Sequence, residues 1–506
     1  VPSQVRVAGV VAALSVTSDL TRGHPPGEAM RAALVATELA RRSGLSPARQ
    51  SEVYYSTLLR FAGCAATSHE AAANFGGDDV ALRATGDLTD TGRPLEAIRF
   101  LTGLVQGTDK LRMLASMPRV PGLVAEAARA DCEVGAGLVG LLGLPSAVSE
   151  SVLCAFERYD GKGAPSGRSG ADLPEPARFA AVGFTAVMFD AVGGADQAAE
   201  VVGRWSGRAL DPAIAQLFLA DAGELLTLSR ADDAWSAVVA AEPAPHRYFD
   251  HDGQLDDVLA GFGDAADLKS PYFQGHARGV AGLMRAAAAQ VDGVDPVTAY
   301  RAGLVHDLGR VAIPTGIWEK PGPLSPDEWE LVRLHPYHSG RILARSPELE
   351  PLAGAVSRHH ERMDGSGYPM GVKAGELDPV ARLLAAAEAW HTFGEPRPHR
   401  PALPPDEAAR RLSELPLDRD AVRAVLAAAD GPKPSLPALP VDLTERELEV
   451  LQLLAAGLTK KQIAERLFIS ASTVHTHTVH IYGKCEVSTR AALAMFAMRH
   501  GLAATP

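Results

Sequence analysis

Residues 359–369 read HHERMDGSGYP, and a related phrase, AFERYDGKGAP, stands at 155–165. Glu157 and Glu361 head the shared part, 204 positions apart. The same spacing relates Arg178 to Arg382 and Asp131 to His335. Upstream it grows to 246, which pairs LLRFAGC at 58–64 with GLVHDLGR at 303–310, and His24 pairs with His276. The chain therefore reads as one domain present twice, the first copy carrying about 42 extra residues within 65–130. The glycine-rich phrase is kept in both copies; the paired histidines are kept in one.

Between these landmarks the pattern is helical. MRAALVATELARRSG, VAGLMRAAAAQVDG and PDEAARRLSEL carry apolar residues at three- and four-residue spacing, and strand-like alternation is scarce. At 506 residues, about three domains are expected. The expected limits are 1–230 for the first copy, 231–430 for the second, 431–441 for a stiff Pro-rich linker (GPKPSLPALPVD), and 442–506 for a compact third unit. The fold class is all-α.

Hydrophobic residues make up 46% and charged residues 22%, as in ordinary folded proteins, and the net charge is −12. That sign argues against coating nucleic acid with the whole surface but leaves room for a local basic patch. Cys64, Cys132, Cys154 and Cys485 form no CxxC pair, which fits reduced thiols in a cytoplasmic protein better than a disulfide framework or a zinc knuckle. The opening VRVAGVVAALSV has no clean cleavage site and reads as a first helix. FAAVGFTAVMF at 179–189 is too short to span a bilayer, and no membrane is expected.

The second copy gathers His276, His306, Asp307, His335, His359 and His360. A lone histidine would be read as a core or surface residue. Five with a carboxylate in one repeat suit iron, manganese or zinc, and adjacent ligands such as His306 and Asp307 can serve neighbouring ions. A carboxylate bridging two divalent ions suits in-line displacement at phosphorus.

GLVHDLGRVAIP, KPGPLSPDEWELVRLHPYHSGRIL and SRHHERMDGSGYPMG resemble the HD-GYP phosphohydrolases, a branch of the HD superfamily, over roughly residues 250–430. The resemblance implies an all-helical domain with two or three divalent ions, iron or manganese, that opens cyclic di-GMP. It makes His276, His306, Asp307, His335, His359, His360 and Glu388 the ligands, Glu388 standing where the family has Asp. It places Arg310 where the family has a phosphate-contacting Lys, so that His306, Asp307 and Arg310 form the catalytic set. Arg310, Arg362 and Tyr368, with Arg397 and Arg400 of the RPHR segment, would contact substrate. Other phosphoesters, or nucleotide sensing without hydrolysis, are the alternatives. Trp329 and Trp390 read as core, His338 and His399 as surface or packing residues.

The first copy has Arg60 and Phe61 in place of the His-Asp pair, Asp131 for the next histidine, Ala155 and Phe156 for the histidine pair, and Phe184 for the acidic ligand. Three phenylalanines can fill the volume of ions and water with apolar packing. A structural partner, a docking lobe, a lid, or a sensor whose ligand the sequence does not name is expected there, and no catalysis.

The tail, LTERELEVLQLLAAGLTKKQIAERLFISASTVHTHTVHIYGKCEVSTRAAL, reads as four short helices with a helix-turn-helix at 460–467 and about 471–484. From 459 onward six Lys/Arg stand against two acids, the local sign that phosphate binding needs. LTEREL, GLTKKQIAERLFIS, STVHTH and IYGK resemble the LuxR-type DNA-binding domain. That resemblance implies phosphate contacts by Lys461, Thr473 and Lys484, base-edge contacts by His475, Thr476 and Val479, and a dimer contact through AALAMFAMRHG, hence a homodimer. The whole chain reads as a cytoplasmic signalling protein that couples a metal-dependent cyclic-dinucleotide phosphodiesterase to transcription.

Overall fold

The computed structural model describes residues 5–93, 95–97, 99–100, 120–431 and 441–503. Every regular element among them is helical, with only isolated β-bridges such as Arg397 to Arg400, as the all-α reading expects. Most of the Pro-rich linker expected at 431–441, and part of the insertion at 65–130, lie outside the described residues.

The chain divides into two compact units, Val1–Gln254 and Leu255–Pro506. The first unit runs past the limit expected at 230. Trp235 Nε1 donates to the Gly9 carbonyl at 3.0 Å, Tyr54 donates to Val238 O at 3.0 Å, and Glu242 takes both the Tyr55 hydroxyl and Arg6 at 2.6 Å. These bonds tie residues 235–242 to the first helices. The apolar run at 179–189 sits inside a longer helix, Glu175–Trp205, which is long and apolar enough to cross a membrane. Its backbone breaks at Gly193 and Gly194, and its apolar side chains (Phe179, Val182, Phe184, Phe189, Val202) belong to the core of the first unit.

In the second unit three helices that carry or lead into site residues start at marked positions. Asp295 caps Pro296–Val305, Ser325 forms a capping box on Pro326–Arg333, and Asp378 caps Pro379–Phe393, each with proline in the first turn. Small residues let the elements approach. A Cβ on Gly303 would lie 2.5 Å from Ala281 Cα, and one on Gly309 would lie 2.1 Å from the His335 carbonyl oxygen. The first unit repeats the second of these approaches, a Cβ on Gly63 falling 2.0 Å from the Asp131 carbonyl oxygen.

The tail forms the four expected helices, Glu445–Ala455, Lys460–Leu467, Ala471–Cys485 and Arg490–Arg499, capped by Thr444, Thr459, Ser470 and Thr489. Phe468, at φ +55°, makes the turn between the second and third. All four cysteines are free and buried.

Candidate metal centre and nucleic-acid interface

Seven residues of the second unit reach one place from several elements. His276 opens its helix, and His306 ends Pro296–Val305 with Asp307 directly after it. His335 opens the helix His335–Leu343, His359 and His360 follow Glu350–Ser357, and Glu388 comes from Pro379–Phe393. Their ligand atoms form two groups, His276–His306–Asp307–Glu388 and His335–His359–His360, all buried but for the half-buried His360.

Asp307 joins the groups. Its Oδ2 lies 2.7 Å from His306 Nε2 and 3.4 Å from His276 Nε2. Its Oδ1 lies 3.3 Å from His335 Nε2 and 3.5 Å from His359 Nε2. Three rings are oriented by the backbone: Nδ1 of His306, His335 and His359 donates to the carbonyl three residues back, at 2.8, 2.6 and 2.6 Å. A carbonyl only accepts, so Nδ1 carries the proton and Nε2 offers a lone pair. Those three Nε2 atoms, both Asp307 oxygens and Glu388 Oε2 are buried without an aligned hydrogen-bond partner. Orphaned buried acceptors are costly, and six converging on one point fit a bound cation.

The electrostatics divide the histidines: against burial, Asp307 raises His306 to about 9 and Glu388 raises His276 well above its ordinary value. Burial opposes the charge on Asp307, but Arg310 and His306 hold its carboxyl well below the usual range. Burial likewise opposes Glu388, and His276 outweighs it. Burial pushes His359 down to about 4 and, helped by His359, drives His360 well below its ordinary value. Neutral imidazoles and ionised carboxylates are the forms that ligate.

Arg310 is buried, with its guanidinium 2.5 Å from Asp307 Oδ2 and over the Phe273 ring at 4.5 Å. Tyr368 stacks on His360, centroids 4.7 Å apart and planes at 25°. Trp329 meets Tyr368 edge-on at 5.8 Å and is 43% exposed, so it belongs to the rim of the site and not to the core. Arg362 is half-buried and donates to its neighbour's carbonyl, Glu361 O, at 3.0 Å. Arg397 and Arg400 are spent on the turn after Glu388: Arg397 grips Glu395 at 2.6 Å and the Tyr272 carbonyl, and Arg400 donates to Glu395 O at 3.0 Å. Two residues the sequence reading passed over stand beside the ligands. Thr392 Oγ1 donates to Glu388 Oε1 at 3.0 Å, and Glu395 lies against the His276 ring.

The glycine-rich phrase is tied by a glutamate that the sequence reading also missed. Glu361 accepts from the backbone N–H groups of Met370, Gly371 and Val372 at 2.7, 3.1 and 3.1 Å. Glu157 accepts from Ser166 and Gly167 at 2.6 and 3.1 Å. The glycines differ in role. Gly161 and Gly365 take φ of +73° and +84°, whereas Gly163 and Gly367 are needed for close approach: a Cβ on Gly367 would lie 2.4 Å from Glu361 Cα.

The first unit buries a cation beside Phe61 and Phe184. The Arg22 guanidinium lies 3.8 Å from the Phe61 centroid and 5.3 Å from that of Phe184, and the two rings pack edge to face at 5.0 Å. Arg22 reaches Asp87 at 2.8 Å and Glu28 at 3.2 Å, while His24 sits between Glu28 (2.9 Å) and Asp87 (3.0 Å). Burial opposes its charge, yet the bonds to Asp87 and Glu28 raise His24 to about 9. Arg60 donates to Ala177 O, and Asp131 pairs with Arg83 at 3.0 Å. Among the described residues of this unit, no metal-ligand cluster occurs.

In the tail, Val474, Thr478, Ile481 and Cys485 line the buried face of Ala471–Cys485, which leaves Thr473, His475, Thr476 and Val479 outside. Lys461 is exposed, Lys460 Nζ donates to His475 Nδ1 at 3.1 Å, and Lys484 pairs with the capping-box residue Glu447 at 2.7 Å. The last helix, expected as a dimer contact, also meets its own chain: the Gly275 N–H donates to Met498 Sδ at 3.1 Å.

The HD domain family matches residues 262–418, and the family of bacterial regulatory proteins described as luxR matches residues 441–497. The chain is 26% identical over 411 residues to the 3'3'-cGAMP-specific phosphodiesterase 3 of Vibrio cholerae, covering 79% of this chain and 89% of that protein. It is 37% identical over 146 residues to a cyclic di-GMP phosphodiesterase of Pseudomonas aeruginosa, and 39% over 116 residues to one of Thermotoga maritima. These matches cover 28% and 22% of this chain and only 35% and 32% of those two proteins. A crystal structure of a cyclic GMP-AMP specific phosphodiesterase of V. cholerae shares the fold, with a TM-score of 0.59 at 24% identity over 85% of this chain and 99% of that one. The chain thus carries a segment matching the HD domain family and ends in one matching the luxR family of bacterial regulatory proteins, and the relatives it resembles are cyclic-dinucleotide phosphodiesterases.

Proposed function

We propose that the cluster around Asp307 holds two divalent ions and opens a cyclic dinucleotide, and that the tail couples this chemistry to transcription. The carrying observation is the position of Asp307, with one oxygen facing each ligand group. His276, His306 and Glu388 would complete one set, and His335, His359 and His360 the other. The ligand types suit iron or manganese. Ions bound there supply positive charge to the phosphate and activate water for in-line attack. Arg310, already among the carboxylates, is placed to take one non-bridging phosphate oxygen, and Arg362 and Tyr368 are assigned to the nucleotide. Arg397 and Arg400 are assigned to the turn that they bind.

The relative that matches most of this chain is named for 3'3'-cGAMP and the shorter matches for cyclic di-GMP, so both are candidate substrates. The first unit reads as a degenerate copy with a structural role, supported by the shared Glu157/Glu361 loop bonds and by the Arg22–Phe61 packing. In the tail we assign Lys461, Thr473 and Lys484 to phosphate and His475, Thr476 and Val479 to base edges, on a homodimer.

Manganese-loaded chain should convert one or both dinucleotides to linear product, and Asp307→Ala should convert neither. No product from either substrate would overturn hydrolysis. A second reading, a sensor that binds without turnover, is favoured by the contact of Arg310 with Asp307, where an extra fixed cation competes with the ions. Tight nucleotide binding without product over hours would select it.

A further inference from the structure

We propose that Glu395 is a positioning residue of this centre, which fixes the His276 ring so that its Nε2 is presented to the ion. This rests on the reading of the cluster as a metal site. His306, His335 and His359 each have Nδ1 anchored on the carbonyl three residues earlier, because each follows a helical turn that supplies one. His276 cannot use that anchor. It opens its helix as His335 does, but the chain leaves the 3-10 turn Pro271–Phe273 through Gln274 (ψ 121°) and Gly275 (φ +80°), so no continuous helical turn leads into it. Its Nδ1 instead lies 3.0 and 3.1 Å from the two oxygens of Glu395.

Glu395 is itself buried and held from two other sides, by Arg397 at 2.6 Å and by His391 at 2.9 Å. It follows the helix that carries Glu388, and Glu388 Oε2 lies 2.7 Å from the other nitrogen of the same ring. One turn of chain thus supplies a ligand on the Nε2 side and an anchor on the Nδ1 side. The anchor is charged, unlike the three carbonyls. A carboxylate on the far nitrogen sets the tautomer and raises the basicity of a ligating imidazole, and loss of such a partner costs about 10- to 100-fold in metal affinity.

The test is manganese binding to the full chain, followed by calorimetry and by competition with a fluorescent chelator. Wild type should bind two ions and Asp307→Ala should lose both. Glu395→Ala should keep the ion of the His335–His359–His360 group and weaken the other about 10- to 100-fold. Glu395→Gln, which retains an accepting oxygen without the charge, should fall between and controls for a folding defect in the alanine variant. The Nδ1–H proton of His276, assigned by its loss in His276→Ala, should shift in Glu395→Gln, a change that a merely structural role would not produce. If both Glu395 variants bind two ions as wild type does while Asp307→Ala binds none, the positioning role is overturned and the metal centre stands. If wild type binds no manganese, or Asp307→Ala still binds two ions, the metal-centre reading falls and this role with it.

Discussion

Asp307 Oδ1 faces His335 Nε2 at 3.3 Å while its Oδ2 is turned to His306, so a single carboxylate is shared by two ligand groups, one from the middle of the HD segment and one from residues on either side of it. Its removal should therefore empty the whole centre. Replacement of His360, which belongs to one group only, should release one ion. Metal content by mass spectrometry is expected to fall from two per chain to near zero in Asp307→Ala and to about one in His360→Ala. Equal losses in the two variants would show that Asp307 does not bridge.

The two copies of the glycine-rich phrase should respond alike in stability and differently in metal binding. A Cβ on Gly163 would fall 2.4 Å from Arg158 N, and one on Gly367 as close to Glu361 Cα, so neither position can take alanine without moving backbone. Both substitutions should lower the thermal midpoint of the unit that carries them. Only Gly367→Ala should also weaken manganese binding, because His359 and His360 directly precede that loop. Manganese titration of the two variants side by side checks this.

Phe61, which the sequence spacing sets against Asp307, meets the Arg22 guanidinium at 3.8 Å and Phe184 edge to face at 5.0 Å. Phe61→Ala should leave a cavity and a buried cation without its ring, destabilising the first unit by about 3–5 kcal/mol. Manganese stoichiometry should stay at the wild-type value. Denaturant unfolding with metal analysis of the same sample separates the two effects.

Lys484 has two partners to serve, Glu447 within the tail and phosphate in a complex. Lys484 above all holds the Glu447 carboxyl down at about 2. A carboxyl depressed in the folded state adds stability above its unfolded value, about 4.5, and that contribution is lost as pH falls from there through about 2. The labelled Glu447 carbon, assigned with Glu447→Gln, should thus stay ionised well below about pH 4, and should titrate near the unperturbed value in Lys484→Ala. On DNA, Lys461→Ala should flatten the salt dependence by about one phosphate contact, and Lys484→Ala by less, since that lysine gives up an ion pair to bind. Binding isotherms across salt concentrations measure both slopes; an unchanged slope for Lys461→Ala would remove it from the footprint.

Much of the site was legible because its signals are local. His306–Asp307 and His359–His360 are adjacent pairs, and the related phrases of the first unit lack them. The tail was legible for the same reason: Thr444, Thr459 and Ser470 are cap residues at fixed offsets from the helices they start. The glycine phrase was half legible. Positive φ at Gly161 and Gly365 follows from residue type, but the clamp by Glu157 and Glu361 depends on how the loop folds back over nine or ten residues.

By itself, the sequence determined an all-helical chain, a set of histidines and carboxylates between 276 and 388 that the fold brings together, and a helix-turn-helix at the end. Those are properties of residue type and short spacing. Tertiary structure alone decided that the first unit reaches residue 254, that Asp307 divides its oxygens between two groups, that Arg22 and Asp87 fill the first copy, and that Glu395 anchors His276. Each of these pairs side chains distant in sequence, such as His276 with Glu395, 119 positions apart. Which distant partners meet is set by how helices pack and which buried groups must be satisfied, and no local pattern encodes that.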